Sequence, residues 1–254
     1  MKNIDLVSKY DDIYSSGAYD NYFTYNQHAA ERLIVDAIPD WNGLKVLDIG
    51  CGEGNLVAMI SFAGASKVDG VDFSIEAIKL AQSRIAINNV NFISSDYKEI
   101  SEKYDVVVMN GVLEHFDNPW DELDYIRSNL LTDNGYVITT SPSFLNPRGY
   151  VWMTLQVLLD VPMSLSDLHS LCPFDVIEYC QQRNCSLAYD SCDQDWGAGP
   201  RTIIDFRKRL TNALKDANLN NQKVDTFLTW MDKAVPFFNT DESTGATVGY
   251  KIGR

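Results

Sequence analysis

The stretch KVLDIGCGEGNL, residues 45–56, decides how the rest of the chain is read. A buried-strand pattern runs into Gly50, Gly52 and Gly54, and a helical pattern follows at once. Glycines let the backbone turn sharply and approach a ligand closely, and the free amides at the start of the next helix point at the same place. Outward from this loop, the apolar runs Lys45–Ile49, Lys67–Val71, Asp105–Met109 and Gly135–Thr140 read as strands, with a weaker one at Val90–Ile93. Helix-length amphipathic stretches separate them. Ser74 is placed to cap one helix, Pro119 to open another over Trp120–Leu131, and Asp133-Asn134-Gly135 to turn into the next strand. Strand, helix, strand, repeated, predicts a doubly wound α/β sheet.

Two kinds of ligand use such a loop. A dinucleotide wants GxGxxG, but here the third glycine falls one residue early and Asn55 holds its place. Asp48 before the loop and Glu53 within it would also face a pyrophosphate with like charge. S-adenosylmethionine (SAM) offers an ammonium, a sulfonium and a single carboxylate, so electrostatics favours it over a nicotinamide cofactor. The second strand ends in VDGVDFS, where the Asp72 carboxylate is positioned to take both ribose hydroxyls and Phe73 to lie beside the adenine. The third ends in SSDY, where Asp96, followed by Tyr97, is placed to accept from the adenine amino group. The structural alternatives are a helix cap for Asp72, in competition with Ser74, and a solvated turn acid for Asp96.

With VLDIGCGEG, GVDFS, SSDY, YDVVVMNGVLEHFDNP and GYVITTSP in place, residues 40–142 resemble the class I SAM-dependent methyltransferases. LEHFDNP is further similar to the subgroup of quinone-precursor O-methyltransferases. The resemblance implies a Rossmann-like, doubly wound, seven-stranded sheet, mostly parallel with one antiparallel strand, for which Ala246–Ile252 is the candidate. It implies SAM as cofactor and S-adenosylhomocysteine as product. The cofactor site then comprises Asp48, Gly50, Cys51, Gly52, Gly54 and Asn55 around the methionine part, Asp72 and Phe73 at the nucleoside, Asp96 and Tyr97 at the base, and Asn110 and Gly111 at the fourth strand's end. The chain reads as one domain: an amino-terminal lid (1–30), a SAM-binding core (31–142), a helical cap insert (143–183) and a carboxy-terminal part (184–254). In that last part Cys185–Tyr189 is read as a strand, and Ile203–Leu219 and Val224–Phe237 as helices.

Methyl transfer from a sulfonium is an in-line displacement that must align two atoms, exclude water and, for a hydroxyl acceptor, remove a proton. MNGVLEH puts Asn110, Gly111, Glu114 and His115 where that chemistry would occur. His115 suits a general base because its ordinary pKa lies near physiological pH; the competing reading is a histidine that satisfies backbone groups. His169, in SLSDLHSLCPF, is a second base or acceptor ligand, or else packing. Glu114 and His115 resemble part of the metal-binding motif of small-RNA 2′-O-methyltransferases, and His169 would complete a metal set. The site is nevertheless read without a metal. Tyr10, Tyr14, Tyr19, Tyr22 and Tyr25 offer an aromatic lid over the sulfonium or a packed helix. Tyr150–Val161 is too short to span a bilayer and reads as a lid helix, or as an interfacial contact for a lipid-tailed acceptor.

Composition bounds the partners. The 254 residues carry 21 Lys plus Arg against 35 Asp plus Glu, a net charge of −14, which disfavours a general nucleic-acid or anionic-membrane surface. An acidic start, no apolar run of roughly 18 residues and five cysteines without a CxxC pair point to a cytoplasmic protein with reduced thiols and no transmembrane segment. The expected activity is methylation of a small molecule, at oxygen rather than nitrogen. The alternative from another class is a catalytically inactive SAM-binding regulatory or partner-activating protein.

Overall fold

The computed structural model describes residues 28–161, 167–238 and 244–254. The five tyrosines of the expected lid lie outside these residues. Strands β1 (Lys45–Ile49), β2 (Lys67–Asp72), β3 (Val90–Ser94), β4 (Tyr104–Asn110), β5 (Leu131–Pro142), β6 (Leu187–Cys192) and β7 (Thr247–Gly253) form one sheet in the order β3-β2-β1-β4-β5-β7-β6. The first five are parallel, and β7 runs antiparallel to both β5 and β6. The strand order reverses between β1 and β4, so the carboxyl ends of those two strands flank the crevice in which ligands of open α/β sheets sit.

Apolar runs rather than alternation mark these strands because both faces are buried. Val46, Val68, Val106, Val108 and Ile138 point to one side, against α1 (Ala29–Asp36), α2 (Asn55–Phe62) and α3 (Ile75–Arg84) through Ile34, Ile60 and Ile78. Leu47, Ile49, Val107, Met109 and Val137 point to the other, against α4 (Pro119–Asn129) and α6 (Pro173–Arg183) through Leu123, Ile126 and Val176. The helix starts follow their signals. The Ser74 hydroxyl accepts from the Ala77 amide at 3.2 Å, and Asn118 caps α4 with Pro119 in its first turn.

Three expectations are corrected. The Asp133-Asn134-Gly135 turn is absorbed into β5: Tyr104 pairs with Leu131 but Val106 with Tyr136, so the extra residues form an irregularity inside the strand. The sixth strand begins at Leu187, because Asn184 ends α6 in the left-handed region (φ 50°) and the Cys185 amide closes back on the Cys180 carbonyl at 3.1 Å. The cap also has a different membership. Helix α6 belongs to the sheet layer, where Arg183 pairs with Asp124 of α4 at 2.6 Å. Its place is taken by α7 (Arg201–Asp216) and α8 (Val224–Ala234), which join α5 (Pro147–Leu159) around Trp152, Phe206, Leu210, Leu228 and Met231.

No helix among the described residues is long and apolar enough to cross a membrane. All five cysteines are free. Trp152 is 1% exposed and donates from Nε1 to Asp205 at 3.1 Å. Trp152→Ala is expected to cost about 3–5 kcal/mol in denaturant unfolding, a buried aromatic's usual loss on truncation. A change under 1 kcal/mol would mean that this cluster does not hold the cap.

Candidate active site

The glycine loop is built by the β1–β2 pair. The Gly50 and Cys51 amides both donate to the Val71 carbonyl, at 2.8 and 3.2 Å, which turns the chain off the end of β1. Gly50, Gly52 and Gly54 adopt φ of 71°, 51° and 82°, a region costly for side-chain-bearing residues. A Cβ at Gly50 would stand 2.6 Å from Val112 Cγ2, so the loop also needs glycine for room.

Asp72, at the end of β2, braces this loop. One carboxylate oxygen accepts from the Gly52 amide at 2.9 Å and the other from the Ser74 amide at 2.8 Å. Ser74 caps α3 itself, so Asp72 is a tie between loop and helix start. Asp48 is 1% exposed, and its Oδ1 has no hydrogen-bond partner among the described residues. Burial pushes its pKa well up, with Asp72 and Glu31 adding repulsion. An orphaned, buried carboxyl beside a second acid calls for a cation or a hydrogen-bond donor, the opposite of what a diphosphate brings. This donor set and the glycine cradle fit an ammonium- and sulfonium-bearing ligand.

The other loop residues divide by role. Glu53 forms an ion pair with Arg84, contrary to the share of the loop's negative charge expected of it. Cys51 is buried in the core, with burial raising its thiol pKa. Asn55 opens α2 and is exposed. Phe73 is 44% exposed beyond β2, as a base-stacking ring would be. Asp96 is exposed and accepts from the Lys98 amide at 2.9 Å, capping a turn of 3₁₀ helix. The Tyr97 ring turns into the core against Phe116, and its hydroxyl pairs with Glu122, which leaves its backbone for any ligand contact.

Across the switch point, β4 ends in Asn110, whose side chain accepts from the Thr140 hydroxyl at 2.6 Å, and in Gly111 at φ 66°. A 3₁₀ turn, Leu113–His115, follows. Glu114 is 3% exposed, Oε2 has no partner among the described residues, and its pKa is pushed up to about 8 by burial and then by Asp167. His115 Nδ1 faces Asp167 Oδ1 at 3.4 Å. Asp167 was not singled out from sequence: it lies 52 residues beyond His115, and only its neighbour His169 carried a signal.

His169 does something other than what was expected of a second base. Its Nε2 lies 2.9 and 3.2 Å from the Phe116 and Asp117 carbonyls. Carbonyls only accept, so that nitrogen carries a proton and donates. The Leu168 and His169 amides donate in turn to the Glu114 carbonyl, at 2.9 and 3.2 Å. His169 therefore fastens the insert to the β4 end, and in doing so sets Asp167 beside His115. One ligand atom each from Glu114, His115 and Asp167 lies within 4.8 Å of the others, a set that could hold a metal ion; His169 is not part of it.

Two outcomes test this geometry. Gly50→Ala is expected to weaken SAM binding at least tenfold by calorimetry, and parental affinity would contradict the cradle. A carboxyl whose folded pKa near 8 exceeds its unfolded value keeps its proton only in the folded state as pH rises between the two, so stability falls over that window. Glu114→Gln is therefore expected to unfold at a higher temperature than the parent at pH 8.5, with the gap closing by pH 4.5. An unchanged gap across that range would contradict the buried acid.

A family model described as a methyltransferase domain matches residues 22–224. The ribosomal protein L11 methyltransferase of Lactobacillus johnsonii is 37% identical over 121 residues, 46% of this chain and 35% of that protein. The ubiquinone biosynthesis O-methyltransferase of Neisseria meningitidis serogroup C is 26% identical over 165 residues, 61% and 68% of the two chains. The chain thus spans about a third of the one relative and two thirds of the other. Among solved structures, a chain of the complex between the Haloferax volcanii Trm112 methyltransferase activator and a methyltransferase superposes with a TM-score of 0.62 at 16% identity, covering 96% of each chain, a likeness of fold. The match over most of the sequence and the shared sheet make this chain a member of the class I SAM-dependent methyltransferase family.

Proposed function

We infer that this protein transfers the methyl group of SAM to a hydroxyl oxygen of a small-molecule acceptor, with His115 as the base. The observation that carries this reading is the His115–Asp167 pair at the end of β4, across the switch point from the glycine loop. SAM, when bound, supplies a methyl carbon activated by a sulfonium leaving group. Asp48 and the glycine cradle hold the methionine part, Asp72 the ribose, and Phe73 and Asp96 the adenine. Asn110 and Gly111 form the wall beneath the reacting carbon.

Asp167 Oδ1, 3.4 Å from Nδ1 of His115, orients the imidazole that receives the acceptor's proton. His115 would take the proton of the acceptor hydroxyl as that oxygen is methylated, so that charge on it never builds up fully. Buried Glu114, neutral near pH 7, does not compete as a second anion. His169 keeps the pair in register.

A small acceptor is favoured because α5 leaves the sheet just beyond β5 and, with α7 and α8, forms a cap at the carboxyl edge. The ribosomal-protein and quinone relatives leave the acceptor's identity open. Val157, Leu158 and Leu159 are exposed at the end of α5, which suits contact with a lipid-tailed acceptor at an interface. The acceptor-side equipment of Glu114, His115 and Asp167 weighs against a purely regulatory SAM-binding role. One domain in a cytoplasmic setting completes the reading.

The test is a split between binding and turnover. Asp72→Ala is expected to weaken SAM binding at least tenfold by calorimetry. His115→Asn is expected to keep affinity within about twofold while lowering kcat by roughly 10²–10⁴, the usual worth of a positioned base, on an acceptor found by product mass. Equal loss of both in His115→Asn would demote it to scaffold. Activity should also survive EDTA, and a rate restored only by added divalent metal would give the Glu114 cluster to an ion instead.

A further inference from the structure

Arg148 stands in the first turn of α5, two residues after the helix cap Asn146, whose side chain accepts from the Gly149 amide at 2.8 Å. Its own amide donates to the Gly197 carbonyl at 2.9 Å, which locks this turn to the loop after β6. The guanidinium Nε is sealed from solvent and has no hydrogen-bond partner among the described residues. The residue as a whole keeps partial exposure, so its terminal nitrogens are the part an incoming group would reach.

The nearby acids are engaged elsewhere. Asp205 accepts from Trp152 Nε1 at 3.1 Å and pairs with Arg209 at 3.2 Å. Asp193 accepts from the Gly197 amide at 2.7 Å. No ion pair joins either of them to Arg148 among the described residues. Arg209 itself lies over the Trp152 ring at 4.8 Å, a second guanidinium in the same neighbourhood. Burial lowers the Arg148 pKa, with Asp205 opposing, yet an arginine does not escape burial by losing its proton. A buried, unpaired cation is costly to keep, and an oxyanion would recover that cost.

Place and shape specify the ligand. Helix α5 begins five residues beyond Pro142, and Thr140 of β5 pairs with Asn110 of β4, so Arg148 stands at the same carboxyl edge of the sheet as the reacting centre. The positive end of α5 adds to the guanidinium there. A side-on guanidinium presents Nε and one terminal nitrogen as a fork that matches two oxygens of one group. In a chain of net charge −14, an acidic substrate needs such a local cation.

We propose that Arg148 anchors an oxyanion, carboxylate or phosphate ester, carried by the methyl acceptor, which makes the acceptor an acidic small molecule. This rests on the methyltransferase reading above and names its substrate class.

The test uses the full chain and thermal unfolding with benzoate, phenyl phosphate and neutral benzamide as probes. Benzoate, phenyl phosphate or both should raise the parent's Tm by roughly 2–4 °C, which of them does so distinguishing carboxylate from phosphate, and benzamide should not. The rise should vanish in Arg148→Met and survive in part in Arg148→Lys. Without ligand, Arg148→Met should melt at or above the parent, because an uncompensated charge is gone. A lower Tm there, no rise with either anion, or the same rise in Arg148→Met would overturn the proposal. If Arg148→Met does not fold, Arg148→Gln carries the same comparisons. S-adenosylhomocysteine affinity by calorimetry should be unchanged in the variant, and its loss would assign Arg148 to the cofactor and overturn the proposal. Failure of the parent itself to bind that compound would sink the methyltransferase reading while leaving the anion result standing.

Discussion

The Asp72 carboxylate, spanning the Gly52 and Ser74 amides, is the interaction on which the site depends. It fixes the glycine loop to the end of β2, orients the start of α3, and places a negative edge at the mouth of the crevice. Asp48 lies buried with an oxygen that has no partner among the described residues, and Asp72 adds repulsion to its burial. Holding like charges together costs stability, and a positively charged ligand recovers it. The charge of the loop and the identity of the cofactor are thus one fact seen from two sides.

Most of residues 40–142 was legible because the signals there are local. Strands buried on both faces announce themselves as apolar runs, Ser74 as a cap and Pro119 as a helix start, and the glycines by a spacing that only a tight turn needs. β1 was placed to the residue, and β2, β3 and β4 to within a residue at either end. Residues beyond 142 were read less well because their partners are distant. Amphipathic α6 and α7 look alike in sequence, yet one packs on Leu123 and the other on Trp152, a choice made by three-dimensional packing. Tyr97 and Cys51 sit within signature motifs but turn their side chains into the core, which spacing cannot reveal.

The acceptor side was legible in residue types and not in pairings. His115 stood out as the titratable group at the end of β4, but its partner Asp167 comes from the insert, and His169 serves to fasten that insert. The core therefore carries the glycine loop and His115, while the insert brings Asp167 beside that histidine. Such a division lets acceptor specificity change with the cap while the donor site stays fixed. Arg148, at the first turn of the cap, belongs to the same division, since its backbone is tied to one loop while its Nε has no partner among the described residues.

A crystal structure with S-adenosylhomocysteine bound tests the central claim most directly. The account predicts the amino group of the ligand at Asp48 and the glycine loop, the ribose hydroxyls at Asp72, and the thioether sulfur facing the His115–Asp167 pair. A ligand seated elsewhere, or a crevice that admits only a diphosphate, would contradict it.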